Sequence, residues 1–407
     1  MERTAAQRPR TAISAAVAIV VAIACFRVVI AGRTFGDERY LFEEVPALSN
    51  IGERARAGDL PEWWDRVGLG VPFAGNVDHP ALYPPAWLTA VAPARLAVAD
   101  LLVVAHLLAM ALGIALLARR AGASDAAAIV AGAAAGVGGP AFASIGPGAI
   151  FALAWCPWIW LTAHALARGD GPLHRLRWSI VLAMLAAGQL LAGAIVLVPA
   201  TLAVAAAISA TQRRAVDAAY VVLAAAMAGL LGAALLVPAA HLALAPGEAA
   251  PGWSALAALV WPSSSAGYVG APVVILALIG AGGRVALALA SAAVALLIAG
   301  ALLDAVLLAP AGLVACVLAG RGLTAIIEGQ RWLVIAAAGL AAAAALAIGL
   351  GAADRSTGIA VGLFAAVSMV VARWPARASS ALSACLGAIA VGHLIAWSWR
   401  AVPQVDR

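Results

Sequence analysis

Residues 12–40, AISAAVAIVVAIACFRVVIAGRTFGDERY, contain an apolar run that ends shortly before an acidic cluster. The run from Thr11 to Gly32 is about 20 residues long, which is the length that an α-helix needs to cross a bilayer. It follows the basic segment MERTAAQRPR, so a secretory signal peptide is the alternative interpretation. A signal peptide has a shorter apolar core, and no clear small-residue cleavage site follows here. The stretch therefore predicts a retained first transmembrane helix, 12–32, with Asp37 just beyond its end.

The composition of the whole chain extends this prediction to many helices. Hydrophobic residues make up 65% of the chain and charged residues 11%, whereas a soluble domain has about 25% charged residues. A soluble fold of this size cannot bury so much apolar surface, so we expect an all-α polytopic membrane protein with one transmembrane domain over residues 1–407. Apolar runs predict about 11–13 transmembrane helices, because two pairs of runs are each one broken helix or two short ones. These pairs are 177–191 with 193–211 and 270–283 with 285–301; the other predicted spans are 12–32, 97–118, 125–143, 148–167, 216–240, 304–319, 332–351, 357–373 and 381–399.

The positions of the basic residues predict the orientation. All 25 are arginines, and most lie in short loops on one side of the predicted spans if the N-terminus is cytoplasmic. Cytoplasmic loops carry such an excess of positive charge. The sequence therefore predicts a multi-pass protein of a bacterial inner membrane with a cytoplasmic N-terminus. Arginines that are spread over short loops do not form a phosphate-binding face, so we expect no nucleic-acid partner.

The first loop, 33–96, differs from the rest of the chain. It carries nine of the 19 acidic residues and three tryptophans, and several prolines interrupt it. The pattern predicts a short amphipathic helix over 40–57, with Leu41, Val45, Leu48 and Ile51 on its apolar face. By the predicted topology this loop is extracytoplasmic, as is a second loop, 245–269. Two polar loops over one face of a helix bundle favour a cavity at the bilayer surface.

Acidic residues of the first loop are the candidates for catalysis. A carboxylate at Asp37 lies at the lipid–water boundary, where it can reach a polar group whose tail stays in the bilayer; the alternative is a solvated loop acid. Adjacent helical residues point about 100° apart, so at most one of Glu43 and Glu44 is expected to face Asp37. With Asp37, Asp78 and His79 offer two carboxylates and an imidazole, which makes a divalent metal a candidate cofactor without any metal signature in the spacing.

Two further kinds of side chain are candidates for substrate binding. Arg39 and Arg66 are suited to clamp a phosphate by paired hydrogen bonds, or they form salt bridges with the acids of the loop itself. Gln189 lies inside an apolar run, where its amide either lines a cavity or bonds a neighbouring helix. P-loop, GxSxG, HExxH and GxGxxG motifs do not occur, so nucleotide hydrolysis, serine-hydrolase, zincin and dinucleotide-binding functions have no support in the sequence.

Three segments follow one another in the first loop: GDERYLFEEVPAL (36–48), AGDLPEWWDRVGLGVPFAGN (57–76) and DHPALYPPAWL (78–88). Later come FALAWCPWIWL, GQLLAG, LLVPAAHLAL and WPSSSAGYVGAPVVILAL. In this order they resemble YfhO-like membrane proteins, a bacterial branch of the GT-C glycosyltransferase superfamily, over residues 12–330. The segment PEWWDR departs from the family pattern, because it lacks the usual asparagine.

The resemblance implies a GT-C-like bundle and the transfer of a sugar from a polyprenyl-phosphate carrier to an extracytoplasmic acceptor. It implies that Asp37 is the catalytic base. In the hypothesis that follows, Arg39 or Arg66 would stabilise the charge of the leaving phosphate. Glu44, Asp78 and His79 would then orient the acceptor or hold a metal, and the spans would bind the tail of the donor among membrane lipids. A transporter or flippase for a lipid-linked solute and a non-catalytic family member are the alternatives; the oligomeric state is left open.

Overall fold

The structure is a computed structural model that describes residues 8–67, 70–76, 78–91, 95–146, 148–211, 215–236, 271–280, 284–302, 307–328, 376–401 and 404–406. Most of these residues are helical. The α-helices are α1 (Arg8–Ala24), α2 (Phe26–Val29), α3 (Val45–Ala57), α4 (Arg95–Arg120), α5 (Asp125–Val137), α6 (Gly139–Phe142), α7 (Ile150–Leu153), α8 (Cys156–Arg168), α9 (Pro172–Leu191), α10 (Leu197–Ala210), α11 (Ala215–Leu231), α12 (Ala271–Ile279), α13 (Arg284–Leu302), α14 (Leu308–Ile327) and α15 (Ala376–Ala401). A π-helical turn covers Tyr40–Glu44 and a 3-10 helix covers Pro84–Ala90.

Long apolar helices confirm the membrane character of the chain. Among the described residues, four helical stretches are long and apolar enough to cross a bilayer: Leu96–Arg120, Asp125–Phe142, Ile150–Arg168 and Leu308–Ile326. Shorter apolar helices occupy most of the other predicted spans. The all-α membrane architecture is therefore confirmed in its coarse form, and the count of 11–13 spans stays a prediction.

Several predicted boundaries are resolved by the structure. Both ambiguous pairs are separate helices, α9 with α10 and α12 with α13. Gly193 and Ala194, which separate α9 from α10, have φ angles of 88° and 51°, a left-handed conformation that ends a helix. The first apolar run is interrupted at Cys25 and forms α1 and α2. The predicted spans 332–351 and 357–373 and the second loop, 245–269, lie outside the described residues.

The chain divides into two compact units, of which the first comprises Met1–Ala24, Leu108–Ala143 and Ala250–Ala401. In this unit α14 packs against α5, α12, α13 and α15. A Cβ atom at Gly280 would meet the carbonyl of Leu318, and one at Gly322 would meet the carbonyl of Leu276. The backbones of α12 and α14 therefore touch, which is the packing that small residues permit between membrane helices.

The second unit comprises Cys25–Leu107, Ser144–Ala249 and Val402–Arg407. Here α9 packs against α8 and α11, and α10 packs against the same two helices. An ion pair joins α9 to α11, with Nε of Arg175 2.8 Å from Oδ1 of the fully buried Asp217. Two antiparallel pairs of short strands complete the unit: β1 (Arg33–Phe35) with β4 (Gln404–Asp406), and β2 (Trp63–Trp64) with β3 (Val71–Pro72).

The first loop contains the predicted amphipathic helix. The helical segment begins at Glu38, passes through the π-helical turn and ends at Ala57, followed by Gly58 with a φ of 79°. Leu48 and Ile51 are buried as predicted. The rest of the predicted apolar face, Leu41 and Val45, is half-buried.

Candidate functional site

Asp37 caps the helical segment of the first loop. Its Oδ1 accepts a hydrogen bond from the backbone N–H of Tyr40 at 3.1 Å, which is the bond that an N-cap carboxylate makes. Its own carbonyl accepts the N–H of Leu41 at 3.0 Å. The side chain is half-buried, and a Cβ atom at Gly146 would collide with its carboxylate. Asp37 is therefore partly packed against the protein, and its role as a catalytic base stays a prediction.

Glu44 is the last residue of the π-helical turn, and its side chain is only 2% exposed. Its Oε2 lies 3.7 Å from Nδ1 of His79. Its Oε1 is buried without a hydrogen-bond partner among the described residues. Glu43, in contrast, is more than half exposed. Of the two acids, Glu44 is buried and Glu43 is exposed; that one of them faces Asp37 stays a prediction.

His79 is held between two aromatic rings. Its ring stacks on Phe73 at 5.4 Å and meets Trp64 edge to face at 5.7 Å. The His79 side chain is 17% exposed, but its Nδ1 atom is buried. The imidazole is thus fixed in orientation beside the Glu44 carboxylate.

A turn that contains Gly146 and Gly148, within residues 144–149, lies beside these side chains, and we call it the glycine turn. Its described part is closed by hydrogen bonds from the N–H of Gly148 to the carbonyl of Ile145, 3.1 Å, and from the N–H of Ile150 to the carbonyl of Ser144, 2.9 Å. A Cβ atom at Gly148 would lie 2.5 Å from Oε2 of Glu44. The glycine turn therefore contacts Asp37 through Gly146 and Glu44 of the Glu44–His79 pair through Gly148, and so brings these side chains to one place.

Asp78 does not join this cluster through its side chain, which is exposed. Its backbone instead packs on Gly193, where a Cβ atom would lie 3.1 Å from the carbonyl oxygen of Asp78. Among the described residues, no three His, Cys, Asp or Glu side chains lie close enough together to hold a metal ion. Within the part of the chain that the structure describes, the candidate ligands Asp37, Asp78 and His79 are therefore not brought together as a metal site, and Asp78 is exposed.

The arginines of the first loop form salt bridges with its acids. Nε of Arg39 lies 3.3 Å from Oε2 of Glu43, and Nη2 of Arg66 lies 2.7 Å from Oε2 of Glu53. The side chains of both arginines are more than half exposed. The salt-bridge alternative is thus what the structure contains, although exposed pairs of this kind contribute only about 0–1 kcal/mol and exchange partners easily.

Gln189 is fully buried in α9, and its amide reaches residues of three other helices, α7, α8 and α10. Its Nε2 donates to the carbonyl of Ala152 at 3.2 Å and to Oγ1 of Thr201 at 2.9 Å, and it lies 3.3 Å from Sγ of Cys156. Of the two alternatives for this amide, the structure therefore favours bonding to neighbouring helices.

No family model matches this chain. No curated protein matches it either. The resemblance to YfhO-like proteins consequently stays an expectation that depends on the segments quoted above.

Among the described residues, two of the cavities are lined by the first loop, and Asp37 and Glu44 line neither of these two. One, of about 420 Å³, is lined by Phe42, Val45, Pro46, Ser49, Trp64, Arg66 and Val67. The other, of about 360 Å³, is lined by Leu60, Glu62, Pro72, Ala74, Gly75, Leu82 and Ala234. Arg66 is thus the one predicted binding residue that lines a described cavity, and the walls around it are mostly apolar.

A buried hydrogen-bond chain was not predicted from the sequence. The carbonyl of Leu102 lies 2.6 Å from Nδ1 of His106 and can only accept, so Nδ1 carries the proton. Nε2 then accepts from the hydroxyl of Tyr83 at 2.7 Å, and that hydroxyl accepts from the indole of Trp155 at 3.1 Å. Burial raises the pKa of Tyr83, and the hydrogen bond from Trp155 lowers it by less. The phenol therefore stays protonated and joins the first loop to α4 and to Trp155, the residue before α8.

A second unpredicted group is Asp100, which is fully buried near the start of α4. Its Oδ1 accepts hydrogen bonds from Oγ1 of Thr34 at 2.8 Å and from the hydroxyl of Tyr40 at 3.0 Å. In the sequence, Asp100 lies within an apolar run and belongs to no recognisable motif. The only available signal was a carboxylate inside a predicted span, which usually marks a specific role.

Proposed function

We propose that the chain is a multi-pass glycosyltransferase of the bacterial inner membrane, with a GT-C-like bundle and a cytoplasmic N-terminus. It would move a sugar from a polyprenyl-phosphate donor to an acceptor outside the cytoplasm. The observation that carries the proposal is the gathering of Asp37, Glu44 and His79 at the glycine turn. A fixed acid–base cluster just beyond the first span suits a reaction between a membrane-bound donor and a water-borne acceptor.

Contacts between loops support the alternating topology. In the proposed arrangement the first loop, the glycine turn and the segment 192–196 all lie on the extracytoplasmic side. Asp37 packs on Gly146, and the backbone of Asp78 packs on Gly193, so the first loop contacts both of the other segments. Three loops at alternate positions in the chain are expected to meet only if the helices between them cross the membrane.

The pairing of β1 with β4 bears on the number of spans. This pairing requires the chain to be on the same side of the membrane at residues 33–35 and 404–406. If the first span crosses, an even number of spans must follow it before residue 404. The pairing therefore favours 11 or 13 spans over 12.

In the proposed reaction Asp37 is the general base. Its Oδ1 is engaged with the N–H of Tyr40, which leaves Oδ2 to take the proton from an acceptor hydroxyl. The hydroxyl oxygen then bonds to the anomeric carbon, while the bond from that carbon to the phosphate oxygen breaks and the phosphate leaves with the electron pair. Attack opposite to the leaving group inverts the anomeric configuration.

The other predicted residues would act around this step. Glu44 and His79 would orient the acceptor by hydrogen bonds, since both are held rigidly. Arg39 or Arg66 would turn from its exposed salt bridge to the departing phosphate, where a charge-assisted pair is stronger. Arg66 has the better support, because it already lines an apolar cavity.

Asp37→Asn tests this role cleanly. Asparagine is as good an N-cap as aspartate, so the bond to Tyr40 and the fold should be kept while the base is lost. We expect a loss of sugar release from a labelled polyprenyl-phosphate donor of about 10²-fold or more, the usual contribution of general-base catalysis. Glu38→Gln is the matched control, because it removes the neighbouring exposed carboxylate, and its turnover should equal that of the unmodified protein. Turnover in Asp37→Asn equal to that of the unmodified protein would exclude Asp37 as the base.

A non-catalytic membrane protein is the second candidate, and the capping role of Asp37 favours it, because that role alone accounts for an aspartate at this position. A transporter or flippase for a lipid-linked solute is the third. Solute flux in proteoliposomes that persists in Asp37→Asn would support the transporter over the enzyme. Absence of both sugar release and flux would support the non-catalytic protein.

A further inference from the structure

Asp100 is a buried acceptor for two hydroxyls that come from one short segment. Thr34 and Tyr40 both donate to its Oδ1, at 2.8 and 3.0 Å, and all three residues are at most 2% exposed. Hydrogen bonds to a carboxylate that is excluded from solvent are stronger than those between neutral groups. Asp100 therefore attaches the segment firmly to the start of α4.

The two donors stand on either side of Asp37, each three residues away from it. Thr34 lies in β1 and Tyr40 lies in the first turn of the helix that Asp37 caps. The ring of Tyr40 also meets that of Phe35 edge to face at 5.9 Å. A single carboxylate thus holds both ends of the segment that carries the proposed base.

We infer that Asp100 is a positioning residue, which holds Asp37 against the glycine turn by binding Thr34 and Tyr40. The inference rests on the proposed function, since it assigns Asp100 to the site where Asp37 acts. Asp100 does not touch the reacting atoms. Its loss should loosen the Asp37 segment and lower kcat more than it raises KM, because Glu44, His79 and Arg66 lie outside the stretch between Thr34 and Tyr40.

Hydrogen exchange measured by mass spectrometry tests the attachment without any substrate. The peptide that covers 33–44 contains the N–H groups of Tyr40 and Leu41, which bond to Asp37. Asp100→Ala removes two charge-assisted hydrogen bonds, and the loss of even one corresponds to about a tenfold change, so we expect these amides to exchange at least about tenfold faster. Peptides from α9 should be unaffected.

Three further variants keep the test valid if Asp100→Ala folds poorly. Thr34→Val keeps the shape of the side chain but removes one donor, whereas Thr34→Ser keeps the hydroxyl. We expect faster exchange and a lower kcat in Thr34→Val and near-normal values in Thr34→Ser. Asp217→Asn, which alters a buried carboxylate elsewhere in the second unit, should leave exchange over 33–44 unchanged.

The outcomes separate the inference from the proposed function. Unchanged exchange over 33–44 in both Asp100→Ala and Thr34→Val overturns the attachment, whatever the turnover is. Faster exchange with unchanged kcat in an active protein overturns the positioning role. If the unmodified protein releases no sugar from the donor, the proposed function fails, and with it the positioning role, while the exchange data still report on the attachment.

Discussion

Replacing Gly148 by alanine perturbs the Glu44 carboxylate directly. Gly148 has a φ of 67°, and a Cβ atom there would lie 2.5 Å from Oε2 and 2.7 Å from Cδ of Glu44. The left-handed conformation costs an alanine about 1–2 kcal/mol. Carbon–oxygen contacts are normally about 3.3 Å or longer, so the carboxylate must move by about 1 Å.

The movement of Glu44 adds a second cost. Its side chain is only 2% exposed and packs beside His79, and inserting a methyl group into such a site costs about 1–3 kcal/mol. The total expected loss of unfolding free energy is about 2–5 kcal/mol. Because Glu44 and His79 would lose their relative position, turnover should fall as well.

Gly58→Ala is the matched control for the backbone cost. Gly58 has a φ of 79°, but nothing lies within 4 Å of the Cβ position. It should lose only the conformational cost of about 1–2 kcal/mol and keep full turnover. Thermal unfolding in detergent, followed by circular dichroism, and sugar release would be measured for both variants. Equal loss of stability in the two variants, with normal turnover in Gly148→Ala, would refute the claim that the glycine turn sets the position of Glu44.

Two other predictions follow from buried hydrogen bonds. Gln189→Leu should lower the free energy of unfolding by at most about 2 kcal/mol, as for other interhelical hydrogen bonds in membranes. It should leave turnover unchanged, because the amide bonds Thr201 and not substrate. A large loss of turnover at normal stability would instead favour a cavity-lining role. Tyr83→Phe should cost about 1–3 kcal/mol, since it leaves the polar atoms of His106 and Trp155 without their partner. Because burial raises the pKa of Tyr83, its contribution is complete below its unfolded pKa of about 10 and is lost as pH rises through the higher folded value. Unfolding midpoints measured from neutral pH into the alkaline range should therefore fall less steeply in Tyr83→Phe, and identical slopes in the two proteins would contradict this.

The sequence alone determined where the chain is helical and apolar. The runs 97–118 and 148–167 correspond to α4 and to α7 with α8, and the amphipathic pattern over 40–57 corresponds to a real helix. These features depend on composition and periodicity over one or two dozen residues, and the thickness of the bilayer sets their length. A helix that satisfies its own backbone hydrogen bonds needs no distant partner, so local patterns suffice to predict it.

Only the tertiary structure decided which polar groups meet. Asp100 accepts its two hydrogen bonds from residues 66 and 60 positions away, and Gln189 donates one to the carbonyl of Ala152, 37 positions away. Asp78 and His79 are neighbours in the sequence, yet one is exposed and the other lies between aromatic rings. A polar side chain in an apolar protein takes whichever partner the packed helices bring within about 3 Å. That choice depends on contacts between distant segments, and no local pattern in the sequence encodes it.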